Sequence, residues 1–154
     1  MPSTPTILVD ADACPVKQEI YKVAFRTKTP VILVSNAYLR IPDSPLITQV
    51  VVSDGFDAAD DHIVDVAAPG AIVITADILL ADRAIKKGAI VLSPKGTELD
   101  ENSIGGAVAT RAIMSDLRAG GDQIGGPKPF EARDRSRFLS ALDVAITRAR
   151  RQKR

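Results

Sequence analysis

The chain offers few residues for thiol or imidazole chemistry, with one cysteine, one histidine and no tryptophan among its 154 residues. A single cysteine, Cys14, excludes an internal disulfide, and together with the lone His62 it excludes a cysteine-rich zinc site. No apolar run approaches the roughly 20 residues of a membrane span, and residues 1–5 lack the pattern of a signal peptide. We therefore expect a cytoplasmic protein that does not associate with membranes.

The charge of the chain is distributed unevenly within an otherwise ordinary globular composition. Residues 1–110 carry nine basic and 14 acidic side chains (net −5), whereas residues 111–154 carry 11 and five (net +6). An acidic body with a basic end indicates an anionic partner, and nucleic acid is the commonest one. A solvated, frayed terminus explains the last few basic residues equally well.

Strand and helix patterns alternate along the chain. Apolar runs predict strands over 6–9, 31–34, 48–52, 71–75 and 90–92, and amphipathic segments predict helices over 15–28, 56–67, 78–87, 104–118 and 131–150. This alternation predicts an α/β fold: a three-layer, doubly wound, mainly parallel sheet of about five strands. We treat residues 1–154 as one domain with a basic, helical C-terminal section from about residue 104.

Acidic residues follow the predicted first and fourth strands and begin the helix between the third and fourth. Because the carboxyl ends of parallel strands meet at one edge of a sheet, these acids are expected to converge there. Clustered carboxylates repel one another unless a hard divalent cation lies among them, and oxygen ligands favour Mg²⁺ or Mn²⁺. We expect the metal ligands to come from Asp10, Asp12, Asp57, Asp60 and Asp77, and the catalytic residues to be Asp10, Asp57, Asp60, Asp77 and Asp82.

Simpler roles account for several of these acids singly. Asp12 and Asp77 precede helices that they can cap, and Asp82 can pair with Lys86 four residues on. The acids at 57, 60 and 61 favour the first turn of a helix in any protein, and the spacing leaves open which of them faces the site. Capping does not explain why two neighbouring strands both end in an acid, so we favour a metal site.

Polar and basic residues near the predicted edge are candidates for substrate binding. They are Asn36, Lys95, Arg111, Lys128 and Arg133. Three of them have an alternative role: Asn36 suits a turn, Arg111 suits a counterion to the acids, and Arg133 suits a solvated helix face. Two prolines flank Lys128 and restrict its backbone.

Five motifs resemble the bacterial YaiI/YqxD family, also called UPF0178 or DUF188. They are DADACPV at 10–16, GFDAADD at 55–61, TADILLA at 75–81, LSPKG at 92–96 and GPKPF at 126–130. The family has no assigned activity and is similar to the PIN-like superfamily of metal-dependent ribonucleases. This resemblance implies a PIN-like domain that cleaves RNA with metal-activated water. It matches Asp10 to the first-strand acid, Asp57 or Asp60 to the helix acid, and Asp77 with Asp82 to the acids after the fourth strand.

Two alternatives of other classes remain open from the sequence. A nucleic-acid-binding module would keep the fold and the acids without cleaving. A metal-dependent phosphatase acting on small molecules would use the same acids, because Asp10-Ala11-Asp12 after a strand is also typical of enzymes that form an aspartyl phosphate. Asp12, Cys14 and the long C-terminal section depart from ordinary PIN domains.

Overall fold

The computed structural model describes residues 5–12, 14–53, 55, 57–119 and 130–152, with the backbone alone for residues 111–119 and 152. Its strands are β1 (Thr6–Asp10), β2 (Val31–Ser35), β3 (Ile47–Val51), β4 (Ala71–Ile74), β5 (Ile90–Leu92) and β6 (Glu98–Leu99). Its helices are α1 (Lys17–Thr27), α2 (Ala58–Val66), α3 (Ile78–Lys86), α4 (Glu101–Ala119) and α5 (Ala132–Gln152). The predicted α/β class is confirmed.

The strands form one sheet in the order β3-β2-β1-β4-β5-β6. The first five are parallel, and β6, which the sequence did not predict, pairs antiparallel with β5. The chain builds outward from β1 to β3 and then returns to place β4 on the other side of β1. The order of the strands therefore reverses between β1 and β4, and ligands of open α/β sheets bind at the carboxyl end of such a switch point.

Successive side chains of β1 point to opposite faces of the sheet, and each face is covered by helices. Ile7 and Val9 pack with α1 and α5 in one core, whose helical contributors include Phe138 and Ile146. Leu8 packs with α2, α3 and α4 in the other core. The alternation places Asp10 on the same face as Leu8, so its carboxylate lies on the side of α2 and α3.

Helix α5 lies beside α1 and runs in the same direction. Near its start, Arg135 donates to the Pro15 carbonyl (2.8 Å) and pairs with Glu19 (2.9 Å) on α1. Near its end, Arg150 donates to the carbonyl of Thr27, at the end of α1. Because α1 begins just after β1 ends, the first turn of α5 lies at the carboxyl edge of the sheet, meaning the end at which β1 to β5 terminate.

A close approach of Gly96 to α5 closes the turn that follows β5. Gly96 has φ +86, and a Cβ built on it would lie 2.7 Å from the backbone carbon of Arg137. Only glycine fits this position without moving the helix. In the described part of the chain, no helix is long and apolar enough to cross a membrane.

Candidate active site

A threonine links the ends of the two central strands at the switch point. The Thr75 hydroxyl donates to Asp10 Oδ2 (2.8 Å) and accepts from the backbone N–H of Asp77 (3.0 Å). Thr75 is 2% exposed, so this bridge is buried and holds its partners in place. Asp10 and Asp77 are thereby brought together as the sequence predicted.

Asp77 caps α3, as its position before that helix suggested. Its Oδ1 accepts from the backbone N–H groups of Leu79 (2.9 Å) and Leu80 (3.3 Å). Within the described residues, no hydrogen bond occupies Asp77 Oδ2 or Asp10 Oδ1. In each carboxylate, the other oxygen is held by a hydrogen bond that fixes its orientation.

The three acids of α2 and its cap separate into different roles. Asp61 points to α3 and pairs with Arg83 at 2.9 Å. Asp60 is partly buried and lies close enough to Asp77 and Asp10 for their charges to raise its pKa. Asp57 occupies the N-cap with φ 64 and makes no side-chain cap hydrogen bond. Asp60 is thus the helix acid that faces the strand ends.

We call Asp10, Asp57, Asp60 and Asp77 the acidic cluster. Burial, followed by the charges of Asp77, Asp10 and Asp57, raises the pKa of Asp60 to about 6, and Arg83 opposes the shift. Burial also raises the pKa of Asp10, with smaller contributions from Asp77 and Asp12, while the Thr75 hydroxyl opposes the rise. The cluster therefore holds more negative charge than its surroundings solvate well.

Asp12 holds the ends of β1 and β2 together instead of capping α1. Both of its carboxylate oxygens accept from the backbone N–H of Asn36 at 3.1 Å, while the N-cap of α1 is Val16. The Asn36 side chain donates to the Ser53 carbonyl (2.8 Å), which ties β2 to the end of β3. Asn36 lies at the carboxyl edge as predicted, with its amide engaged in structure.

The other predicted residues either pair with neighbours in sequence, lie in a turn, or fall outside the described positions. Asp82 pairs with Lys86 (3.1 Å), as helix spacing suggested, and Arg133 pairs with Glu131 (2.7 Å) at the start of α5. Lys95 lies in the turn after β5. Arg111 lies in α4 with its side chain outside the described part, and Lys128 lies outside the described residues altogether.

The acidic cluster is not arranged as a finished metal centre. Across the described residues, no group of three His, Cys, Asp or Glu side chains is placed to hold a metal ion together. The donor chemistry still fits a hard cation, because the cluster offers only oxygen atoms and two of its members have raised pKa values.

Sequence reasoning missed two residues that shape this site. Thr75 appeared only as the last residue of a predicted strand, although two-residue alternation from Val73 puts its hydroxyl on the face that Asp10 shares. Arg83 lies on α3 and meets Asp61 only because α2 and α3 pack together. No local pattern in the sequence signals that second contact.

Fold and site together define a three-layer, mainly parallel α/β protein with carboxylates gathered at its topological switch point. The model of the uncharacterized YaiI/YqxD family matches residues 8–148, and the chain belongs to this family. A UPF0178 protein of Sphingopyxis alaskensis is 63% identical over 150 residues, covering 97% of each chain. A UPF0178 protein of a Jannaschia species is 58% identical over 144 residues, covering 92% of each chain.

One solved structure shows a weak likeness to the fold. It is the yeast methylglyoxal/isovaleraldehyde reductase Gre2 complexed with NADPH, at 14% identity and a TM-score of 0.38. The likeness covers 77% of this chain and 50% of that one. A score this low supports no conclusion about fold or function.

Proposed function

We propose that this protein is a phosphodiesterase of the ribonuclease type that works with Mg²⁺ or Mn²⁺. The observation that carries the proposal is the meeting of Asp10, Asp60 and Asp77 at the switch point, on two strands and a helix that are distant in sequence. Buried like charges cost a fold stability unless something offsets them. A divalent cation among the three carboxylates is the simplest offset that oxygen ligands can supply.

Asp10 and Asp77 are the residues best placed to hold the cation. Each has one oxygen fixed by Thr75 or by the start of α3 and one oxygen without a hydrogen bond from a described residue. A bound divalent cation would polarise a phosphate oxygen and lower the pKa of a water molecule. Asp57 and Asp12 add negative charge beside them and would strengthen the attraction of a cation.

Asp60 is suited to handle the proton of the attacking water. Its pKa of about 6 lies near neutral pH, where a carboxylate both accepts a proton and releases it readily. Its position on α2, opposite the strand ends, lets it act on a different side of a substrate from Asp10. Arg83 holds Asp61 away from the cluster and leaves Asp60 as the acting helix acid.

A polyanionic substrate must be attracted by residues around the acidic cluster. The first turn of α5 contributes Arg133 and Arg135 at the same edge of the sheet, and the exposed Arg40 lies in the segment that follows β2. Cations around a negative centre concentrate nucleic acid near it without neutralising the catalytic carboxylates. This arrangement favours RNA over a small phosphorylated molecule as the substrate.

Calorimetric titration with Mn²⁺ tests the site directly. We expect saturable binding to the wild type, at least tenfold weaker binding to Asp10→Asn and Asp60→Asn, and unchanged binding to Asp65→Asn, an exposed acid of the same helix. Cleavage of single-stranded and structured RNA, abolished by chelator and by Asp10→Asn, tests the activity. Absence of Mn²⁺ binding to the wild type would refute the site. Phosphate release from nucleotides without RNA cleavage would replace the nuclease with a phosphatase.

A further inference from the structure

Tyr38 stands out among the large apolar side chains because its ring is 82% exposed. The other tyrosine, Tyr21, is 5% exposed, and the next most exposed large apolar residue of the described chain, Val144, is 57% exposed. An aromatic ring in water gives up the burial that ordinarily stabilises it. A side chain this exposed offers ring surface on which a ligand can pack.

The backbone on either side of Tyr38 is fixed. The Gln49 side chain accepts from the Leu39 N–H (2.9 Å) and donates to the Leu39 carbonyl (2.8 Å), as a neighbouring strand would. The Ser35 hydroxyl donates to the Ala37 carbonyl at 2.6 Å. The ring therefore projects from a rigid support, which lowers the entropy lost when a ligand packs on it.

Exposed and partly buried side chains alternate over residues 38–41, and the exposed cation Arg40 follows Tyr38 by two residues. Leu39 and Ile41 pack against the core, whereas Tyr38 and Arg40 are exposed. Alternate residues of an extended chain point the same way and lie roughly 6–7 Å apart. That is about the length of one nucleotide step, with an aromatic surface at one end and a guanidinium at the other.

The segment begins close to the carboxyl edge of the sheet, and Leu39 and Ile41 then pack on the face that α1 and α5 cover. Asn36, whose N–H donates to Asp12, precedes Tyr38 by two residues, so their Cα atoms are at most about 7.6 Å apart. Asp12 in turn follows Asp10 by two residues. A strand bound at Tyr38 would therefore reach the carboxyl edge within one or two nucleotides.

We propose that Tyr38 and Arg40 form a subsite for one unpaired nucleotide, with the base stacked on the Tyr38 ring and the phosphate paired with Arg40. Stacking accepts any base because every base has a flat face, and it needs a strand whose base is not already stacked in a duplex. A subsite of this kind makes single-stranded nucleic acid the substrate class of the enzyme. This inference rests on the proposed function.

Binding of a short labelled oligouridylate, followed by fluorescence anisotropy in chelator, tests the subsite without cleavage. We expect Tyr38→Ala to weaken binding by about 5- to 100-fold, the usual effect of removing one stacked base, and Tyr38→Phe to bind like the wild type. Arg40→Gln should reduce the salt dependence of binding by about one phosphate contact. Phe25→Ala, which removes a half-exposed ring near the end of α1, should change nothing.

The emission of tyrosine gives a second readout that a structural effect would not imitate. The chain has no tryptophan, and of its two tyrosines only Tyr38 is exposed, so a stacked base should quench the emission of Tyr38 selectively. Wild-type affinity in Tyr38→Ala, or equal binding of duplex and single strand, would overturn the subsite. Stacking without RNA cleavage would leave the subsite standing and refute the nuclease. If Tyr38→Ala cleaves RNA and binds it as well as the wild type does, the subsite is refuted and the nuclease stands.

Discussion

Asp60 allows a stability test of the acidic cluster, because its charge should weaken the fold in the absence of metal. The pKa of about 6 lies above the ordinary value near 4, so the folded protein keeps a proton on Asp60 that the unfolded chain has released. The free energy of unfolding must then fall as pH rises from about 4 to about 6 and stay level above that range. Because Asp60→Asn has no carboxyl group at position 60 to ionise, its free energy of unfolding should not show this fall between about pH 4 and pH 6.

The size of the expected change in the free energy of unfolding follows from the pKa shift of Asp60. Two pKa units correspond to about 3 kcal/mol. Asp60 is only partly buried, and solvent screens part of its interaction with Asp10 and Asp77, so we expect about 1 kcal/mol. At pH 7 without metal, Asp60→Asn should therefore be more stable than the wild type by about 1 kcal/mol, and at pH 4 the two should be nearly equal.

Urea unfolding at a series of pH values between 4 and 8, in chelator, measures this difference. Asp65→Asn is the matched control, and its stability should stay within about 0.5 kcal/mol of the wild type. Added Mn²⁺ should stabilise the wild type by about 2.7 kcal/mol at one hundred times its dissociation constant and should reverse the order of the two proteins. A variant that is less stable at pH 7, or an advantage independent of pH, would show that Asp60 carries no unfavourable charge.

Substitutions at three further positions, Thr75, Gly96 and Gly105, test the supports of the site and the packing around two glycines. Thr75→Val removes the hydrogen bond that favours the charged form of Asp10, so it should raise the pKa of Asp10 and weaken Mn²⁺ binding about tenfold by calorimetry, while Thr75→Ser should bind normally. Gly96→Ala should lower the free energy of unfolding by about 2 kcal/mol in urea, because the new Cβ meets the backbone of Arg137. Gly105→Ala, in α4, should raise stability by about 0.5–1 kcal/mol, because a Cβ there would meet no atom of the described residues within 4 Å.

The sequence was sufficient to predict the five parallel strands of the sheet and the acids that end two of them. Alternating apolar runs and amphipathic segments specify a parallel sheet, and in such a sheet residues directly after β1 and β4 can lie only at the carboxyl edge. Asp10 and Asp77 could therefore be assigned to one site from their positions alone. The cap at Asp77 and the ion pair between Asp82 and Lys86 followed from local spacing in the same way.

Contacts between elements could not be predicted. The spacing of Asp57, Asp60 and Asp61 on α2 was compatible with several orientations, and the packing of α2 against α3 decided between them by pairing Asp61 with Arg83. Asp12 looked like a helix cap until the pairing of β1 with β2 brought the Asn36 N–H within reach. Tyr38 gave no sequence signal, because its exposure depends on the Gln49 contact across ten residues.

Structural roles account for some of the acids around the switch point but not for Asp60. Capping accounts for one oxygen of Asp77, and ion pairs account for Asp61 and Asp82. Neither explanation applies to Asp60, whose pKa is raised to about 6 and whose charge therefore opposes folding at neutral pH. Asparagine would fit the same space without that penalty. A carboxylate that weakens the free protein is consistent with the metal-assisted reaction that we propose, in which a cation or a proton would be bound to it.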